Sequence, residues 1–209
     1  MPIDALAPGP LLQLLNLFGI AVFAATGALA AAQRGQTLVT AAFFALITGV
    51  GGGTIRDLLI GAPVFWIRDA QTAALCLGAA LVTWVTPERW WTHRAFEWFD
   101  AVGLAIYAVY GAAKSLSFGV PPVPAAVMGV VTACAGGILR DMLVGEPSIL
   151  MRPELYVTAA ALAAGLYVLL IALGLPTFLC ALCAAGAGFL LRAAAIHWKL
   201  ALPAYRGKR

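Results

Sequence analysis

Gly51-Gly52-Gly53-Thr54-Ile55-Arg56-Asp57-Leu58-Leu59-Ile60-Gly61 returns as Ala135-Gly136-Gly137-Ile138-Leu139-Arg140-Asp141-Met142-Leu143-Val144-Gly145, a register shift of 84 (136 − 52). In both copies glycines interrupt an apolar run and an Arg-Asp pair follows. A proline comes two residues after the closing glycine (Pro63, Pro147), and an arginine five residues after that (Arg68, Arg152). The same register, without a gap, aligns Asn16–Ala70 with Asp100–Glu154, and about one residue in three is identical. The chain therefore carries an internal duplication whose most distinctive segment is a glycine-broken apolar stretch. In a membrane chain such a matched pair points to a transport path.

Composition makes it a membrane chain. Of 209 residues, 63% are hydrophobic and 11% charged, and mean hydropathy is +0.95. Soluble domains carry about 25% charged residues. Seven apolar stretches approach or exceed the roughly 20 residues that cross hydrocarbon. They are Leu11–Ala32, Thr37–Ile60, Ala70–Val85, Phe99–Leu116, Val123–Val144, Leu155–Leu173 and Thr177–His197. Each is expected to be a helix, because a lipid-facing backbone must satisfy its own hydrogen bonds. The alternating short strands of a barrel are not in the sequence. The expected fold is all-α, one transmembrane domain over 1–209.

The duplication dictates how these spans are arranged. Each unit holds three, with repeat one at about 11–86 and repeat two at about 97–173. An odd number makes the second unit enter from the opposite side, so the halves form an inverted pair. The seventh helix, about 177–198, lies outside the symmetry. Lys and Arg set orientation. With the N-terminus outside, the inner side receives Arg34, Arg89, Arg94, Arg152, Lys199, Arg206, Lys208 and Arg209. The outer side receives Arg68 and Lys114. The net charge of +4 reads as this topology signal plus contact with anionic membrane lipid, not as nucleic-acid binding. Ala28-Leu29-Ala30 resembles a signal-peptide cleavage site. However, the N-terminal region has Asp4 and no Lys or Arg, and the first span belongs to the repeat, so cleavage is not expected.

The charges and glycines inside the spans are the candidate site. Gly51, Gly52 and Gly53, mirrored by Gly136 and Gly137, are expected to bend or unwind the second and fifth helices along a polar path. Intramembrane charges pair with each other or face a cavity. Neighbours on a helix point about 100° apart, so the expectation is cross-repeat pairing, Arg56 with Asp141 and Arg140 with Asp57. Such pairs either line the path or lock the halves together. Lys114, beside Ser115 near the outer end of the fourth span, reads as a snorkelling lysine or as a pore-facing gating charge, and Thr54 joins the pore-lining candidates. Gly19, Phe23 and Gly27, and likewise Gly103, Tyr107 and Gly111, stand at i, i+4, i+8. They make faces for close helix approach, and Tyr107 carries a hydroxyl toward any path there. Tyr110 is a weaker candidate.

Other chemistry is not written in the chain. Cys180-Ala-Leu-Cys183 has redox spacing but sits in an apolar helix without a second pair, and Cys76 and Cys134 are isolated. His93 and His197 are too far apart for a helical metal pair. No phosphate-binding loop, zinc-protease motif or nucleophile elbow occurs. No catalytic residue, metal or cofactor is expected. Trp66, Trp84, Trp90, Trp91, Trp98 and Trp198 sit near span ends, where interface anchors belong.

At the repeated Gly-Gly-x-x-Arg-Asp segments with Pro63 and Pro147, the chain resembles the prokaryotic trimeric intracellular cation (TRIC) channels, over essentially its whole length. The resemblance implies a homotrimer with one pore in each subunit, lined by kinked second and fifth helices and passing monovalent cations, K⁺ over Na⁺. It places the kinks at Gly51–Gly53 and Gly136–Gly137 and the basic residue of the fourth helix at Lys114. The Ala- and Arg-rich composition points to a bacterial source, so a bacterial inner membrane is the expected location. The second copy has Ala135 where the first has a third glycine, so a milder kink is expected there. The lipid-binding Lys-Glu-Val segment of animal members does not occur. Inverted repeats with broken helices serve alternating access equally well, so a transporter of a small metabolite such as glycine stands as the alternative. A purely structural membrane protein is the third reading.

Overall fold

The computed structural model describes residues 10–87, 90–91, 93–151 and 153–203. Arg89, Arg152, Arg206, Lys208, Arg209 and Asp4 lie outside the described residues, as does the side chain of Arg94. Seven α-helices follow one another: α1 Pro10–Gln33, α2 Leu38–Leu59, α3 Ala70–Val85, α4 His93–Ser117, α5 Pro122–Val144, α6 Val157–Ala172 and α7 Thr177–Trp198. Each sequence-read span lies on one of them. α1, α2, α5 and α7 are long and apolar enough to cross a membrane. α4 has 25 residues and buries Asp100 and Lys114. α3 and α6, with 16 residues each, are about 24 Å long at 1.5 Å per residue, short of a hydrocarbon core of about 30 Å.

Local chemistry sets the helix ends. The Thr40 N–H donates to the Thr37 hydroxyl at the start of α2, and Pro121 and Pro122 open α5 where a missing N–H costs nothing. Gly61 (φ +69°) and Gly145 (φ +71°) then end α2 and α5 in the left-handed conformation, which glycine adopts without strain.

The repeat reappears as reciprocal contacts. α1 packs on α2 as α4 packs on α5, while α2 meets α5 and α1 meets α4 across the pseudo-axis. A methyl added at Gly19 would meet the Tyr107 ring, and one at Gly103, its counterpart in the second repeat, would meet the Phe23 ring. Phe23 and Tyr107 stack with centroids 5.1 Å apart. Gly27 lies against Thr48, and its counterpart Gly111 lies against Thr132, the counterpart of Thr48. Such i-to-j and j-to-i contacts are the signature of two-fold pairing. α7 packs on α6 and α4, outside this symmetry.

Candidate ion-conduction site

The glycines bring two backbones together. A Cβ at Gly52 would collide with the Thr132 carbonyl, and one at Gly136 would lie 2.5 Å from the Thr48 carbonyl oxygen. These two contacts are also symmetry mates, so α2 and α5 cross at the pseudo-axis with only glycine between their main chains. Of the expected bend or unwinding, the unwinding does not occur: both helices stay α-helical through the glycines. Their missing side chains are used for contact. Just before them, Gly49 O accepts the Tyr107 hydroxyl at 2.9 Å. Thr54 Oγ1 donates to Val50 O at 2.8 Å and Thr132 Oγ1 to Met128 O at 2.6 Å, bonds of a kind that bend helices slightly. Gly51 faces the Leu139 side chain, Gly53 the Phe65 ring, and Gly137 the Tyr156 hydroxyl.

Beyond the crossing each helix carries its Arg-Asp pair, and the expected cross-repeat pairing is overturned. Arg56 Nε donates to Asp57 Oδ1 at 2.9 Å, and Arg140 Nε and Nη2 donate to Asp141 Oδ1 at 3.0 and 2.8 Å. There are two physical reasons. Gly52 is level with Thr132 and Gly136 with Thr48, so these antiparallel helices carry the two aspartates about seven residues each past the midpoint of the crossing, about 21 Å apart along the axes at 1.5 Å per residue. An arginine is also long enough to fold around the 100° step to its neighbour. The other oxygen of each carboxylate is committed to the loop that follows: the N–H groups of Phe65 and Ile149, both eight residues on, donate to Asp57 Oδ2 and Asp141 Oδ2.

The third partner breaks the symmetry. Lys114 Nζ lies 2.8 and 2.9 Å from the two Asp57 oxygens. It is 6% exposed, so the snorkelling reading falls, and it is Lys114, not Arg140, that ties Asp57 to the other repeat. At the opposite cluster Arg140 Nη1 donates to Asp100 Oδ1 at 2.6 Å and to Thr26 Oγ1 at 3.3 Å. The first-repeat counterparts of Lys114 and Asp100 are Ala30 and Asn16, so neither cluster can copy the other. Both sets are buried: Arg56 and Asp57 are 0% exposed, Arg140 and Asp100 2%.

Their surroundings differ too. At the Lys114 cluster the α2–α3 loop folds over the charges. The Phe65 ring lies 5.6 Å from Lys114 Nζ and the Tyr110 ring 4.9 Å from the Arg56 guanidinium carbon. The Trp66 indole N–H donates to Thr54 Oγ1 at 2.9 Å, so this half-buried ring ties the α2–α3 loop to α2. Trp84, Trp90, Trp98 and Trp198 remain exposed. Ser115 is buried and bonds back to Gly111 O, which leaves it a helix-facing hydroxyl. The Arg140 cluster instead borders an open cavity of about 210 Å³, whose lining among the described residues includes Asp100, Asp141, Glu146 and Glu154 with Arg34, Arg140 and Arg192. Arg34 pairs with Glu146 across its mouth, and Arg192 of α7 donates to Glu154 at 2.7 Å.

Asp100, Phe65, Thr26 and the Thr48–Thr132 pair carry this site without standing out in the sequence. Asp100 appears there only as the partner of Asn16 in the repeat. The available signal is its mismatch at that position, a carboxylate in a span opposite an uncharged counterpart. Cys180 is buried and Cys183 exposed, and both are free.

Comparison with known proteins accords with this geometry. A family model described as glycine transporter matches twice, at residues 13–88 and 97–172. A crystal structure of the trimeric intracellular cation channel orthologue from Rhodobacter sphaeroides is 42% identical, with a TM-score of 0.85 over 91% of this chain and 99% of that one. The chain belongs to the TRIC channel family. A Vibrio cholerae UPF0126 membrane protein is 35% identical over 93% of this chain and 83% of its own length. The Escherichia coli K12 UPF0126 inner membrane protein YadS is 32% identical over 91% and 94%. The TRIC fold, seven helices with the family model matched in two repeats, is thus this chain's fold. The chain is a multi-pass inner-membrane protein of a trimeric cation-channel family, and not an enzyme.

Proposed function

We propose that the chain assembles as a homotrimer in a bacterial inner membrane and that each subunit holds its own K⁺-permeable pore along α2 and α5, with the N-terminus outside and the C-terminus in the cytoplasm. The carrying observation is the glycine crossing of α2 and α5, flanked on one side by a sealed charge cluster and on the other by a carboxylate-rich vestibule. On this reading Gly51, Gly52, Gly53, Gly136 and Gly137 shape the route, and Thr54, Tyr107 and Ser115 stand beside it. Arg56, Asp57, Arg140 and Asp141 hold its walls. Lys114, locked on Asp57, closes the outer end, and its release is the opening step. Repeat one at about 11–86 and repeat two at about 97–173 move against each other, with α7, about 177–198, as an outer support. Membrane lipid contacts the exposed apolar faces.

Glycine transport remains the second reading, because the family model carries that description. The geometry favours cations. Among the described residues, each guanidinium at the vestibule that would take a substrate carboxylate already has an acidic partner.

Reconstitution in planar bilayers under asymmetric KCl separates the two. Discrete single-channel steps with a cation-selective reversal potential are the expected result. Silent bilayers together with saturable, gradient-driven glycine uptake into vesicles would establish the transporter. Native mass measurement is expected to stop at three subunits, and a stable monomer would break the trimer assignment.

A further inference from the structure

We propose that Asp100 sets the direction in which the pore passes cations most readily, an inference that rests on the channel reading above. The duplicated Arg-Asp pairs are neutral and equivalent, so they cannot give the pore a direction. The third partners can. Lys114 makes its cluster cationic, while Asp100 makes the Arg140 cluster anionic, and both are buried. Asp100 uses Oδ1 on Arg140, and among the described residues its Oδ2 has no hydrogen-bond partner. Asp100 also lines the vestibule, where it and Asp141 share the single guanidinium of Arg140. A cleft of one charge sign with low-dielectric walls concentrates the opposite ion. Cations therefore accumulate at the vestibule end and are opposed at the other, and current rectifies.

The counterpart of Asp100 in the first repeat is Asn16. The corresponding arginine, Arg56, has Nη1 without a partner among the described residues. The chain thus contains its own control: one end with the carboxylate, one end without it.

Single-channel current–voltage curves of the full-length protein in symmetric KCl test this. The wild type is expected to rectify on the order of threefold in dilute salt, by focusing of cations at the vestibule. At about 0.01 M the screening length is about 30 Å, and at about 1 M it is about 3 Å, so the ratio falls toward one as salt rises. Asp100→Asn is expected to bring the dilute-salt ratio close to one, and Asp100→Glu to retain it. An Asp100→Asn channel that keeps the wild-type ratio overturns the proposal. So does one that loses current equally in both directions, which is what a purely structural role gives. Asn16→Asp supplies a second route if Asp100→Asn does not assemble: it is expected to lower the ratio, and an unchanged ratio overturns the proposal. A wild type that conducts without rectifying removes this inference alone. A silent wild type removes the channel reading and this inference with it.

Discussion

The Arg56–Asp57 and Arg140–Asp141 clusters come from the same repeated sequence and perform the same local task. Each arginine folds onto the next residue, and each aspartate accepts the N–H eight residues on. They differ in what the rest of the fold adds. One receives a lysine and an aromatic cover; the other receives a second carboxylate and an open cavity. Duplication therefore supplied two equal anchors, and divergence at positions 100 and 114 turned them into two unlike ends. Without such divergence the two ends of this crossing would be alike.

The largest effect should come from taking the aspartate out of each end. Asp57→Ala leaves Arg56 and Lys114 buried without a carboxylate. Breaking a buried pair in this way costs about 3–5 kcal/mol. Asp141→Ala leaves Arg140 still bonded to Asp100, so the expected loss is nearer the value of a charged hydrogen bond, about 1.5–3 kcal/mol. Thermal unfolding of the two variants in detergent measures the difference, and equal losses would mean the ends are not unlike in the way described. Lys114→Gln acts on the sealed end alone. It is expected to shift the voltage dependence of opening, with an upper bound of about 2.3 kcal/mol per 100 mV for a charge crossing the whole field. Unchanged conductance and voltage response would leave Lys114 as a lock only.

The glycine crossing belongs to both ends and should respond symmetrically. Gly52→Ala and Gly136→Ala each drive a methyl into a facing carbonyl, and overpacking of this kind costs about 1–3 kcal/mol. Gly78→Ala, which meets nothing within 4 Å among the described residues, is the control, expected to stabilise by up to about 1 kcal/mol as Gly-to-Ala changes inside a helix do. A Gly52→Ala protein as stable as the control would show that α2 and α5 do not depend on backbone contact. The smallest effect concerns the starts of α3 and α6. Asp69 caps α3 by accepting from the Thr72 hydroxyl and the Gln71 N–H, which together hold its carboxyl below the usual carboxylate range. α6, by contrast, begins without a side-chain cap. Asp69→Ala is expected to cost about 1 kcal/mol, as lost caps do. Because the folded value is depressed, this contribution is present above the ordinary Asp value and disappears as pH falls through the folded one. A thermal-shift series across acid pH should show the wild type approaching the variant there, and parallel curves would deny Asp69 its role.

Much of the molecule is legible in the chain. Hydropathy locates α2, α5 and α7 to within a few residues, because hydrocarbon leaves a backbone no alternative to the helix. The shift of 84 reveals the repeats, and of the residues spaced i, i+4, i+8 the first two of each set mark where α1 and α4 touch, while Gly27 and Gly111 turn to α2 and α5. The charge partners are not legible in the same way. Angles around a single helix suggest joining Arg56 to Asp141, but the distance along two antiparallel helices forbids it, and that distance is absent from a local pattern. The bond from the Trp66 indole to Thr54 is hidden for a related reason: it depends on how the α2–α3 loop folds back.

The sequence by itself determined seven helices, their duplication, and a pair of glycine-interrupted segments each followed by a buried Arg-Asp pair. Hydropathy and period are local properties that do not depend on which helix meets which. Only the tertiary structure decided that the glycines serve contact and not unwinding, that each arginine pairs with its own neighbour, and that Lys114 and Asp100 make the two ends differ. Those facts depend on distances between residues far apart in the chain, here 57 positions for Lys114 and Asp57, and no local pattern encodes such a distance.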